Sequence, residues 1–290
     1  MGESVRGAEV VRVLAERFPQ LYVAPCEGAQ ELHRLASGRG VVPEGANLDH
    51  FTTSEGDELR EVETPAGPVE VAFLERRADF ETFLQIIGHK AQPVPIARTI
   101  GAITYRGLAD WGKVAAAHAA YVASGGEDWQ AEFARLAKQP GAFRSEIIVI
   151  SKGPYSNVSA QDTPYDEGEW LDVSREIRLH HECAHVVCRR TMPDDVLPVW
   201  DEVTADVVGL LFATGRYDAG LAARFLGVTG TGYAGGRLAE YLADEQKDLL
   251  DEIAVEVREA LDRIEDASRG AEARPFDFLI ELKKAPIVGY

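Results

Sequence analysis

Three of the seven histidines lie within six residues, and the spacing His181-Glu182-x-x-His185 constrains the chain more than any other feature. Residues four apart on a helix share a face, so a helix here lets both imidazoles reach one ion. Neutral imidazole binds zinc at about 2.0–2.1 Å. Glu182 stands beside the first ligand, where its carboxylate can accept a proton from a water that zinc acidifies towards a pKa of about 7. The context suits a partly buried helix from about Ser174 to Arg190. Ser174, Glu176 and Ile177 give it a polar start, Val186 and Val187 an apolar continuation, and Arg189 and Arg190 complement the dipole at its end. The competing reading is a buried helix whose His and Glu simply pair with neighbours.

Catalytic zinc needs a third protein ligand and an open fourth position. Cys188 follows His185 by three residues, but a helix rises about 1.5 Å per residue, which sets it about 10 Å along the axis from His181. A second segment, Trp200-Asp201-Glu202-Val203-Thr204-Ala205-Asp206, is the better source. Glu202 and Asp206 are again four apart. Glu202 is expected to complete the metal site, with Asp201 as the alternative ligand. Asp206 is placed to accept a hydrogen bond from the far nitrogen of a ligand histidine, which fixes its tautomer. A solvated Glu at a helix N-terminus is the plain alternative for Glu202. Pro193, Asp194 and Pro198 between the segments suggest a turn that brings the second helix back beside the first.

His181-Glu182-x-x-His185 followed by Glu202-x-x-Ala205-Asp206 resembles the gluzincin class of zinc metallopeptidases, to which thermolysin belongs. The resemblance covers roughly Ser174 to Gly209. It implies an α+β, zincin-like fold with a mostly helical catalytic region and a small sheet. It also implies one zinc ion on His181, His185 and Glu202, with Glu182 as general base towards a peptide or protein substrate. His185 and Glu202 are 17 positions apart, somewhat closer than in the thermolysin type. The metzincin pattern fails, because Cys188 and Thr191 occupy the places of its Gly and third His.

Such peptidases supply a side chain that steadies the developing oxyanion. Tyr233, Arg237 and Tyr241 are the candidates, in or just after the Gly-rich stretch 227–236, and Arg237 and Tyr241 share a helical spacing. Core packing is the competing reading for each tyrosine. The β-branched run Ile147–Ser151, with the loop Gly153–Asn157, reads either as the edge strand that holds substrate or as an internal strand. Two further readings of the motif stay open. One is a structural zinc in a non-catalytic interaction protein; the other is hydrolysis of an amide in a small metabolite.

The remaining sequence sets the frame. With 290 residues and 46% hydrophobic content, a sizeable core is within reach. A net charge of −18 repels phosphate, so neither nucleic acid nor an anionic membrane is an expected partner. No apolar run approaches the roughly 18 residues of a membrane span. Residues 1–12 show no secretory signal, and Arg6 breaks a myristoylation motif after Gly2. Cys26, Cys183 and Cys188, an odd and sparse set, suggest reduced thiols and a cytoplasmic setting.

Gln92-Pro93-Val94-Pro95 suggests a boundary between an α+β region of unknown role, 1–95, and the metallohydrolase region, 96–290. Helices are expected near 10–18, 80–87 (capped by Asp79), 111–123, 129–137 and 200–214. A long amphipathic helix is expected over 238–264. Strands are expected at Leu21–Ala24, in a hairpin around Pro65-Ala66-Gly67, and at Phe276–Leu282.

Overall fold

The structure is a computed structural model that describes residues 4–192 and 198–284. It is mixed α/β and more than half helical, with a small mixed sheet. The chain divides into two compact units. The first comprises residues 1–62, 70–97 and 104–151; the second comprises 63–69, 98–103 and 152–290. The Gln92–Pro95 interruption lies inside a segment of the first unit.

The first unit carries the sheet. Strands β1 (Val5–Arg6), β2 (Glu58–Val62), β3 (Val69–Leu74), β4 (Ala102–Ala109) and β5 (Arg144–Ser151) lie in the order β1-β2-β3-β5-β4. β3 and β5 run parallel, in register from Glu70 opposite Ile147 to Leu74 opposite Ser151. Successive residues of both are buried, Val71 to Leu74 and Ile147 to Ile150, as expected where both faces of a strand are covered. β5 is therefore internal, and Ile147–Ser151 offers no free edge for a substrate strand.

Helices α1 (Glu9–Arg17), α2 (Gln30–Arg39) and α3 (Arg77–Ile87) complete this core, α1 through Val10, Val11 and Leu14 and α3 through Phe80, Phe83 and Leu84. α4 (Trp111–Ala123) is capped by Asp110, whose side chain accepts from the Lys113 N–H, and α5 (Trp129–Leu136) by Asp128 in the same way. A polar cluster sits beneath α4. Arg17 bonds Glu70 at 2.5 Å and Asp110 at 2.9 Å, and the Ser145 hydroxyl donates to Asp110 at 2.6 Å.

The second unit is built on α6 (Glu167–Thr191) and α7 (Pro198–Thr214). Asp166 and Glu169 form a reciprocal capping box that starts α6 seven residues before the expected Ser174. Its 25 residues span about 37 Å. α7 is buried continuously from Val203 to Leu211, so it lies inside the unit rather than on its surface. Gly209 allows close approach of the pair: a Cβ there would stand 2.8 Å from the Ile177 carbonyl oxygen. Gly215, at φ +71°, ends α7 in the left-handed conformation that glycine adopts without strain. The connection containing Pro193 and Asp194 lies outside the described residues.

Around this pair stand α8 (Ala219–Leu226), the short strands β6 (Val228–Thr229) and β7 (Gly232–Tyr233), α9 (Leu250–Ala267) and α10 (Pro275–Lys284). Four expectations change. Leu21–Ala24 is not a strand, because Pro19 opens a 3-10 turn over Pro19–Tyr22 that buries Leu21. Phe276–Leu282 is helical: Pro275 starts α10, and Phe278, Leu279 and Leu282 bury one helical face. The expected helix over 238–264 is divided into two 3-10 segments, Arg237–Glu240 and Asp244–Leu249, followed by α9. Asp79 does not cap its helix. α3 begins at Arg77, and Asp79 lies in its first turn, accepting from the Thr52 N–H at 2.8 Å. Among the described residues no helix is long and apolar enough to cross a membrane.

Candidate metal centre

α6 turns an unusual stripe towards the interior. Ser174, Arg178, His181 and His185 follow helical spacing on one side, where an ordinary core helix would carry aliphatic residues. Ser174 and Arg178 hold the loop after β5. The Ser174 hydroxyl accepts from the Tyr155 N–H at 2.9 Å, and Arg178 donates to the carbonyls of Gly153 at 2.6 Å and Pro154 at 2.7 Å. Ser156 and Asn157, which follow, both adopt positive φ, a costly conformation for residues with side chains. The outcome is a fully enclosed Tyr155.

One turn further along, His181 and His185 meet Glu202 of α7. The two Nε2 atoms are 3.1 Å apart, and each lies 3.4 Å from a Glu202 carboxylate oxygen. Ligand atoms on a tetrahedral zinc, with bonds of about 2.0–2.1 Å, stand about 3.3 Å apart, close to the separation of the two Nε2 atoms and to that of each Nε2 from its nearer Glu202 oxygen, Oε2 for His181 and Oε1 for His185. His181, His185 and Glu202 form the group of potential ligands found among the described residues. Asp201, the alternative ligand, is elsewhere, with Oδ2 2.9 Å from His185 Nδ1. Its other oxygen takes the Lys283 ammonium of α10.

His181 is backed in a similar way. Its Nδ1 lies 2.8 Å from Asp206 Oδ1, to which the Tyr155 hydroxyl donates at 2.5 Å, and Arg237 donates to Asp206 Oδ2 at 2.6 Å. A proton on each Nδ1, given to a carboxylate, leaves the two Nε2 lone pairs free beside each other and the Glu202 carboxylate.

The electrostatics follow from this crowding. Burial works against charge on His181, yet its hydrogen bonds to Asp206 and Glu202 raise its pKa above the imidazole norm. For His185, burial is likewise outweighed by Asp201 and Glu202, which lift it to about 10. Burial opposes ionisation of Glu202 and Asp201 as well, but their histidine partners, with Lys283 at Asp201, hold both well below the usual carboxylate range. Asp206 is held low chiefly by Arg237, against its burial. Desolvation pushes the Tyr155 and Tyr241 phenols up, so both keep their protons at neutral pH.

The other expected residues fall around this centre. Glu182 is half-buried and close enough for its charge to act on His185. Tyr241 lies near enough to Glu202 for that carboxylate to help raise its phenol pKa. Arg237 lies 6.0 Å from the Tyr241 ring and 4.8 Å from that of Tyr155, with its guanidinium engaged by Asp206. Tyr233 is turned elsewhere, its hydroxyl donating to the Gly236 carbonyl at 2.6 Å. His180 stacks on Phe212 at 3.8 Å, outside the cluster. Cys183 is in the core, and burial raises the Cys188 thiol to about 11.

Sequence reasoning did not single out Tyr155, Arg178 or Lys283. The polar stripe on α6 was a readable signal for Arg178. Tyr155 and Lys283 join the site only through tertiary contacts.

No curated protein and no solved structure matches the chain. A model of a family described as a family of unknown function, DUF7005, matches residues 5–282, and the chain belongs to that family.

Proposed function

We propose that the chain is a zinc-dependent hydrolase of gluzincin type that cleaves peptide bonds, with α6 and α7 as the helix pair of a zincin-like catalytic unit. The observation that carries this reading is the convergence of His181 Nε2 and His185 Nε2, 3.1 Å apart, on the Glu202 carboxylate, each 3.4 Å from one of its two oxygens. Zinc held on such a face supplies Lewis acidity towards a carbonyl oxygen and lowers the pKa of water towards about 7.

The remaining work belongs to side chains. Asp206 and Asp201 keep the imidazole lone pairs turned inward. Glu182 accepts the proton of the attacking water and passes it to the leaving nitrogen. The Tyr241 phenol, beside Glu202, donates towards the carbonyl oxygen as negative charge builds there. Arg237, paired with Asp206, holds the apparatus behind His181.

Metal analysis of the purified chain tests this directly, together with cleavage of a diverse peptide library. One zinc per chain is expected, lost in His185→Ala, along with peptide hydrolysis that a chelator stops. A wild-type chain that takes up no zinc from buffered solution would sink the proposal. Bound zinc without hydrolysis of any peptide would overturn the peptidase reading and leave a structural zinc or hydrolysis of a small-metabolite amide.

A further inference from the structure

We infer that Lys283, on α10, is a positioning residue for zinc: it locks Asp201 behind His185 and so fixes the direction of that ligand's lone pair. The inference rests on the zinc reading above.

The Lys283 side chain is 3% exposed, although a lysine is normally solvated, and its ammonium pairs with Asp201. An aliphatic side chain packed in the same place would avoid desolvating an ammonium, so stability alone gives little reason for a lysine here. Its position is set by packing. Leu279, one turn earlier on the same face of α10, is fully buried among Ala184 and Val187 of α6 and Ala205 and Val208 of α7. That contact sets the height at which Lys283 meets α7.

Asp201 is then held at both oxygens, Oδ1 by Lys283 and Oδ2 by His185 Nδ1 at 2.9 Å. A carboxylate fixed in this way can neither rotate away from the imidazole nor swing round to compete with Glu202 as a ligand. The arrangement parallels the other imidazole, where Arg237 holds Asp206 and Asp206 holds His181. Each ligand histidine is thus backed by a carboxylate, and each carboxylate by a buried cation. One of those cations comes from the 3-10 turn Arg237–Glu240, the other from α10.

The test is zinc affinity by chelator competition on the full chain, with folding checked by circular dichroism at the same temperature. Lys283→Met is expected to bind zinc about 10- to 100-fold more weakly, the range typical of lost outer-shell partners. Lys284→Met, the exposed neighbour, should match wild type. If Lys283 acts through Asp201, adding Lys283→Met to Asp201→Asn should weaken zinc binding by no more than about 2-fold, since coupled sites are not additive.

Should Lys283→Met fail to fold, Lys283→Leu, which also removes the donor, carries the same comparison. Equal affinity in wild type and a folded Lys283 variant overturns this inference alone, and so does full additivity in the double variant. A wild-type chain that binds no zinc overturns the zinc reading and this inference with it.

Discussion

Each unit of the chain buries an Arg–Asp pair, and the two pairs end differently. In the first unit, Arg17 lies between Asp110 and Glu70, and Asp110 also takes the Ser145 hydroxyl and the N–H that starts α4. Those partners are hydroxyls, amides and opposite charges, so the cluster closes on itself and holds helix to sheet. In the second unit, Arg237 meets Asp206, but Asp206 passes the contact on to His181, whose other nitrogen faces His185 and Glu202. Donor atoms converge there instead of pairing off. A buried ion pair is therefore poor evidence of a site on its own. The telling feature is a network that ends in lone pairs pointing at one spot.

The largest expected effect separates chemistry from architecture. Glu182→Gln should retain zinc while peptide hydrolysis falls about 100- to 10,000-fold, the usual contribution of a general base. Wild-type turnover in that variant would remove Glu182 from the mechanism.

Next is Arg237→Met, which leaves the Asp206 carboxylate buried without its cation. A loss of about 3–5 kcal/mol in stability is expected, accompanied by weaker zinc binding. Urea unfolding and chelator competition on the same sample check both parts. An unchanged zinc affinity would make the second network as closed as the first.

Arg17→Met is the counterpart in the first unit. Arg17 is partly solvated, so the expected cost is smaller, about 1–3 kcal/mol, with zinc affinity unchanged. A shift in zinc binding here would erase the contrast between the networks.

The smallest effect is in acid. Burial opposes the charge on Asp110, but Ser145 and Arg17 hold its pKa below the ordinary value. Its stabilising contribution is therefore complete above the unfolded carboxyl pKa of about 3.9 and fades as pH falls through the lower folded value. Urea midpoints measured from pH 5 down to pH 3 should drop less steeply in Arg17→Met than in wild type.

Much of the centre was legible because helical spacing is a local property. His181, His185, Glu202 and Asp206 are each set by a four-residue repeat, and that repeat survives folding. Elements defined only by a short apolar run were not legible. Leu21–Ala24 and Phe276–Leu282 are too brief for periodicity to separate strand from helix, and in each case the preceding proline decided the outcome. The repeat over 238–264 was real from Leu250 onward, but 3-10 geometry interrupts the earlier part. Asp201 was read as a rival ligand, because nothing in its neighbourhood shows that Lys283, 82 residues later, would claim one of its oxygens.

The stripe along α6 has a mechanical consequence. Ser174 and Arg178 grip the Tyr155 loop, while His181 and His185 stand one and two turns further on the same rod. When that rod tilts or slides with thermal motion, the loop clamp and the two imidazoles travel together. The backbone spacing of the two imidazoles is thereby insulated from jostling, and relative motion of α6 and α7 acts on the gap to Glu202 instead.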